Sequence, residues 1–198
     1  MVQPHRPLRA AFVPAPGRQR GAKVARGDLA RELAEAICVI HFACHGVAEP
    51  FAPLRTSVAL PDRGLLSVAD IIEHQIGPTE LVILSACETG LPGFQLVDEL
   101  IGLPAGFIQA GARFVIASHW SVDDAATMVL MAKFSEFWRG HGLAVAEALR
   151  AAQSWMRTLS REERGRLYPD FDFSHSGETG GLPYDSPYWW AGFTLTIA

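Results

Sequence analysis

Two segments of the chain end in side chains able to do covalent chemistry. One apolar run, Ile37-Cys38-Val39-Ile40-His41-Phe42-Ala43-Cys44, stops at His45-Gly46. A second, Leu81-Val82-Ile83-Leu84-Ser85-Ala86, stops at Cys87-Glu88-Thr89-Gly90. An imidazole and a thiol brought together are a general base and a nucleophile, the minimum for cysteine acyl transfer. An unperturbed thiol, with a pKa of about 8.5, is mostly protonated at neutral pH. A nearby imidazole and the backbone N–H groups at a strand end favour its ionisation. Gly46 lets the backbone approach a substrate closely, and its N–H and that of Cys87 are candidate donors to a developing oxyanion. Each residue also has a plainer reading. A Cys closing an apolar run is commonly a small buried hydrophobe, and a lone His a hydrogen-bonded structural residue. Cys38, Cys44 and His41 read as packing residues.

The chemistry requires elements that set His45 and Cys87 side by side. Continuous apolar runs of this kind predict strands buried on both faces of a parallel sheet, and open α/β sheets carry their chemistry at the carboxyl ends of such strands. The 42 residues between His45 and Cys87 leave room for a loop, a helix and the next strand. Asp28 is a candidate cap for a helix with Leu29, Leu33 and Ile37 on its apolar face. A short extended piece is expected at Ser57 to Leu60, and Ser67 caps a helix through Ile71 and Ile72 with Asp70 in its first turn. A Gly-rich loop follows Cys87. A helical pattern runs from Val97 to Ala110, and Pro104 should kink or shorten it. Arg113 to Ser118 is a further buried strand. Ser121, Asp123 and Asp124 open a helix reaching about Trp138, another helix spans about Leu143 to Leu159, and residues 160 to 187 read as a long surface loop. Tyr188 to Ile197 is the last strand, with Trp189 and Trp190 alternating across it. Strands alternating with helices imply right-handed crossovers and an α/β fold.

Composition narrows the function classes. The 198 residues are 49% hydrophobic and 19% charged, as a sheet buried on both faces requires, and the net charge of −4 gives no footprint for nucleic acid. No apolar stretch approaches the roughly 20 residues of a membrane span, and no secretory signal is visible. Three cysteines, an odd number, do not make a disulfide framework, which points to a reducing, cytoplasmic setting. A zinc site of His41, Cys44 and His45 fails because Cys44 faces away from both histidines on a strand. Gly177 to Gly181 lacks the ending of a phosphate loop, which weakens a nucleotide-binding reading, and no G-x-S-x-G elbow is present for a serine hydrolase.

His41-Phe42-Ala43-Cys44-His45-Gly46 and Leu84-Ser85-Ala86-Cys87-Glu88-Thr89-Gly90 resemble the two signature motifs of CHAT domains, caspase-like domains often coupled to tetratricopeptide repeats. Segments 65–71, 102–113, 117–124 and 186–193 agree with the same family in order and spacing, so the resemblance covers about residues 23–198. It implies a caspase-like three-layer sandwich with a mostly parallel central sheet. Residues 1–22 are expected as an irregular Arg/Pro-rich lead-in with a short extended piece at Ala10 to Val13, residues 23–198 as the domain, and the first strand-helix unit of the family as missing. It also implies a His45/Cys87 dyad, an oxyanion site from the backbone of Gly46 and Cys87, and cleavage of a peptide bond in a protein through an acyl-enzyme. Relatives include separase and bacterial CHAT proteases. This chemistry calls for no cofactor and no metal. The implied partners are a protein or peptide substrate and a tetratricopeptide-repeat or other regulatory partner, with no nucleic acid and no membrane.

Four more residues are candidates for a substrate pocket. Glu88 adjoins the nucleophile, and His119 ends a third strand where the family commonly has Leu. Asp123 and Asp124 could face a basic side chain of the substrate, and their plainer role is to favour the first turn of a helix. A rival from a different class keeps the fold without cleaving: an interaction or signalling module, or a truncated, inactive fragment.

Overall fold

Side chains buried on alternating faces of short parallel strands organise the first part of the chain. The computed structural model describes residues 10–13, 39–43, 46–47, 49, 51–60, 64–76, 79–85, 102–173 and 181–198. They belong to two units, one of Met1–Trp120 with Thr194–Ala198 and one of Ser121–Phe193. In the first, β1 (Ala10–Val13), β2 (Val39–Phe42), β6 (Thr79–Leu84), β7 (Ala112–Ser118) and β8 (Phe193–Ile197) form a sheet in the order β1-β2-β6-β7-β8. The first three pairings are parallel. At the β8 edge, the Ala198 N–H donates to the Arg113 carbonyl at 3.1 Å, while Thr194 bonds His119 just past the end of β7 at 2.9 Å. That pairing is therefore antiparallel, and the fold is α/β with a mostly parallel sheet.

Both faces of the central strands are buried, which is why β2, β6 and β7 read as unbroken apolar runs. On one face Ile40, Phe42, Val82, Leu84 and Val115 are fully buried, and on the other Leu81 and Ile116 are equally so. The first face packs on α1 (Val68–His74) and α2 (Leu103–Gln109), with Phe42 and Phe107 ring centroids 5.5 Å apart. Ser67 and Asp70 cap α1 reciprocally. The Asp70 N–H donates to Ser67 Oγ at 3.2 Å, and the Ser67 N–H to Asp70 Oδ2 at 3.0 Å. The helices approach closely at Gly106, where a Cβ would sit 3.0 Å from Val68 Cγ1. Pro104 occupies the first turn of α2, where no N–H is needed, and so opens the helix rather than kinking it. A second, antiparallel sheet was not expected. It is built from β3 (Gly46–Val47), β4 (Ser57–Ala59) and β5 (Leu65–Ser67).

Three expectations need correction. The extended piece expected at Ala10 to Val13 is β1, but it pairs parallel with β2 at the sheet edge, so the sheet has a strand before β2 where the first strand-helix unit was expected as missing. The Ala-Ala-Phe-Val run is short and surrounded by Pro and Arg, and only pairing with β2 makes it a strand. The helix proposed after Asp28 lies outside the described residues.

The other two concern the second unit. It contains α3 (Asp124–Ser135), a π turn at Glu136–Gly140, α4 (Val145–Met156) and α5 (Arg161–Leu167). α5 interrupts the stretch read as loop, capped by Ser160 Oγ accepting from the Glu163 N–H at 3.1 Å. Its Arg164 is buried over the Phe173 ring at 3.9 Å and donates to the fully buried Tyr184 hydroxyl at 3.2 Å. Finally, Pro187–Trp189 is a 3-10 turn and β8 starts at Phe193, so Trp189 and Trp190 do not alternate across a strand. Pro187 and the Ser186 hydroxyl, which accepts from the Tyr188 N–H at 3.3 Å, favour the turn. Gln153 Nε2 then holds the carbonyls of Trp190 and Phe193 at 3.0 and 2.9 Å.

Candidate active site

The site begins with the register of two strands. β2 and β6 pair as Val39↔Leu81, Ile40↔Val82, His41↔Ile83 and Phe42↔Leu84, a constant offset of 42 residues (81 − 39). The alignment continues one residue beyond β6, where the Ser85 N–H donates to the Phe42 carbonyl at 3.0 Å. His45 and Cys87 are separated by the same 42 residues, each three positions past the paired Phe42 and Leu84. His45, Cys87 and Glu88 themselves lie outside the described residues, as do Cys38 and Cys44.

Just below these strand ends a polar contact crosses from one strand to the other. His41 Nε2 lies 2.5 Å from Ser85 Oγ, and that hydroxyl lies 3.3 Å from the Phe42 carbonyl. Both contacts are hydrogen bonds at once when Nε2–H donates to Oγ and the hydroxyl proton goes to the carbonyl, so the geometry favours the neutral Nε2–H tautomer. Burial strips water from the imidazolium and lowers the His41 pKa to about 4, which keeps the ring neutral at physiological pH. His41 is therefore more than a packing residue. The sequence carries a signal for this contact: each apolar run contains one polar side chain ahead of its reactive residue, and polar groups away from water need partners.

The remaining candidates are placed separately. Gly46 begins β3 opposite Val58. His119 follows β7, is exposed, and bonds Thr194 Oγ1 through Nε2 at 2.9 Å. Asp123 caps α3, its Oδ1 accepting from the N–H groups of Ala125 and Ala126 at 3.0 Å each, and Asp124 is the exposed first residue of that helix. Both capping bonds of Asp123 fall on the one oxygen Oδ1. Trp189 and Trp190 are both partly buried. Among the described residues, no helix is long and apolar enough to cross a membrane, and no group of three or more His, Cys, Asp or Glu side chains could hold a metal ion.

The comparison with known proteins agrees with this arrangement at the level of family. The family model of the CHAT domain matches residues 12–197, and no curated protein matches the chain. The chain belongs to the CHAT domain family.

Proposed function

We propose that this CHAT domain is a caspase-like cysteine endopeptidase working through His45 and Cys87. The observation that supports it is the shared offset: the β2–β6 register and the spacing of the two motifs are both 42 residues, so two reactive groups follow level strand ends. Strand ends of a parallel sheet are where α/β folds carry out chemistry. The Cys87 proton passes to His45, and the thiolate attacks the scissile carbonyl carbon to form a C–S bond and a tetrahedral oxyanion. The backbone N–H groups of Gly46 and Cys87 hold that oxyanion. As the C–N bond breaks, the His45 imidazolium gives its proton to the leaving amine, and a thioester remains. Water, losing a proton to His45, adds to the thioester; the C–S bond then breaks and the acid product leaves. No step requires a cofactor, and the partner in this reading is a protein or peptide in extended form.

The test is labelling by a panel of peptidyl acyloxymethyl ketones, mapped by mass spectrometry on wild type and His45→Ala. Rapid labelling confined to Cys87 and lost in His45→Ala is expected, and the preferred peptide reports the residue accepted before the scissile bond. Labelling at Cys87 no faster than at Cys38 and Cys44 would instead favour a non-cleaving interaction module.

A further inference from the structure

We propose that His41 and Ser85 form a positioning clasp that holds the ends of β2 and β6 in the relative placement His45 and Cys87 need, an inference that rests on the dyad reading above. Ser85 is two residues before Cys87, and His41 is four before His45. The 2.5 Å contact between their side chains is a link between the two strands that the backbone ladder does not require, since β2 and β6 are already paired along their length. Ser85 is tied to β2 three ways: by its N–H and its hydroxyl to the Phe42 carbonyl, and by the same hydroxyl to the imidazole.

A polar pair at this depth costs desolvation that two apolar side chains would avoid. What it adds is direction. A satisfied hydrogen-bond network admits one arrangement, whereas apolar contacts tolerate sliding. The neighbouring positions on the opposite face, Phe42 and Leu84, are fully buried and already anchor the strands in the core. The clasp therefore acts at the point where that anchoring ends and the two motif segments leave the sheet. His41 and Ser85 touch no substrate in this scheme; they act through the backbone that carries the dyad.

The experiment measures alkylation of the full chain by iodoacetamide across the pH range in which thiols ionise, with peptide mapping of Cys87 and with Cys38 and Cys44 as internal references. Ser85→Ala and His41→Phe remove one half of the clasp each, and His41→Gln keeps an N–H at the reach of Nε2. The expected result is that Ser85→Ala and His41→Phe each slow Cys87 alkylation about tenfold, in line with the cost of misplacing reacting groups. Both should raise the apparent Cys87 pKa, the double variant should be no slower than either, and His41→Gln should recover most of the rate. A residue that only stabilised the fold would not move the thiol pKa below the unfolding temperature. If His41→Phe does not fold, Ser85→Ala, a truncation of one hydroxyl at a strand end, decides alone.

His45→Ala separates the two readings. Slowed alkylation in His45→Ala together with wild-type rate and pH profile in the clasp variants overturns the clasp and leaves the dyad intact. An unchanged Cys87 rate in His45→Ala overturns the dyad and with it the clasp.

Discussion

Among the described residues, two histidine–hydroxyl pairs cross from one strand of the sheet to the next, and their settings differ. At the β2–β6 border, His41 Nε2 meets Ser85 Oγ at 2.5 Å in a part-buried site; at the β7–β8 border, His119 Nε2 meets Thr194 Oγ1 at 2.9 Å in the open. The chemical groups are the same. Water competes for the second pair and is largely excluded from the first, so only the first imposes a cost when it is broken. The part-buried pair also belongs to the two signature motifs, one residue in each. The exposed pair ties down an edge strand.

The largest effect follows from breaking the core beneath the buried border. Phe42 is fully buried and packs on Phe107 with ring centroids 5.5 Å apart. Phe42→Ala is expected to cost about 3–5 kcal/mol, read as a lower urea midpoint at unchanged slope. A loss under about 1 kcal/mol, the scale of an ordinary surface change, would mean that β2 is not held as described.

The next effect is in pH and arises at the part-buried His41. His41 titrates near its ordinary value of 6.5 in the unfolded chain and at about 4 in the folded one, because burial disfavours the cation. Above pH 6.5 both states are neutral and the contribution of His41 is fully present. As pH falls from 6.5 toward 4 the unfolded chain binds a proton that the folded chain refuses, and stability drops. The loss is complete below about 4 and amounts to at most about 3 kcal/mol. The measurement is the difference in unfolding free energy between wild type and His41→Gln across this range, which cancels the titration of the carboxylates. A flat difference would show that burial does not hold the folded His41 ring neutral.

The same contrast explains what could be read from the sequence. β2, β6 and β7 were legible because double-sided burial demands unbroken apolar runs, and Ser67 as the cap of α1 with Asp70 in its first turn was legible because their three-residue spacing is local. Of the small sheet only β4 was legible, as the extended piece at Ser57 to Leu60; its pairing with β3 and β5 was not, since strands of two or three residues carry no periodicity. α5 was hidden by its charges, although Ser160 followed three residues later by Glu163 is the spacing of a helix start. Pro187 and Ser186 turn the chain before β8, although bulky aromatics such as Trp189 and Trp190 suit a strand. At the candidate site, His45 and Cys87 were legible as a motif pair and carry the family resemblance. The His41–Ser85 contact required the register, since it depends on how two distant segments align that His41 pairs with Ile83 and so lies beside Ser85 just past β6. Asp123 shows the opposite lesson: its local capping role, the plainer of its two readings, is the one its hydrogen bonds display.

The smallest effect sharpens the comparison from its exposed side. Thr194→Val removes the hydroxyl that meets His119 while keeping the β-branched shape suited to β8. Both residues are exposed, so water replaces the lost bond, and the change in stability should stay within about 0.5 kcal/mol. For a chain of this length that is a shift of about 1–2 °C in Tm. β8 is also held to β7 by the Ala198 N–H on the Arg113 carbonyl at 3.1 Å, which the substitution leaves in place. A drop of several degrees would instead mean that the His119–Thr194 bond anchors the edge strand against solvent. The burial argument separating the two histidine pairs would then fail at its weaker end.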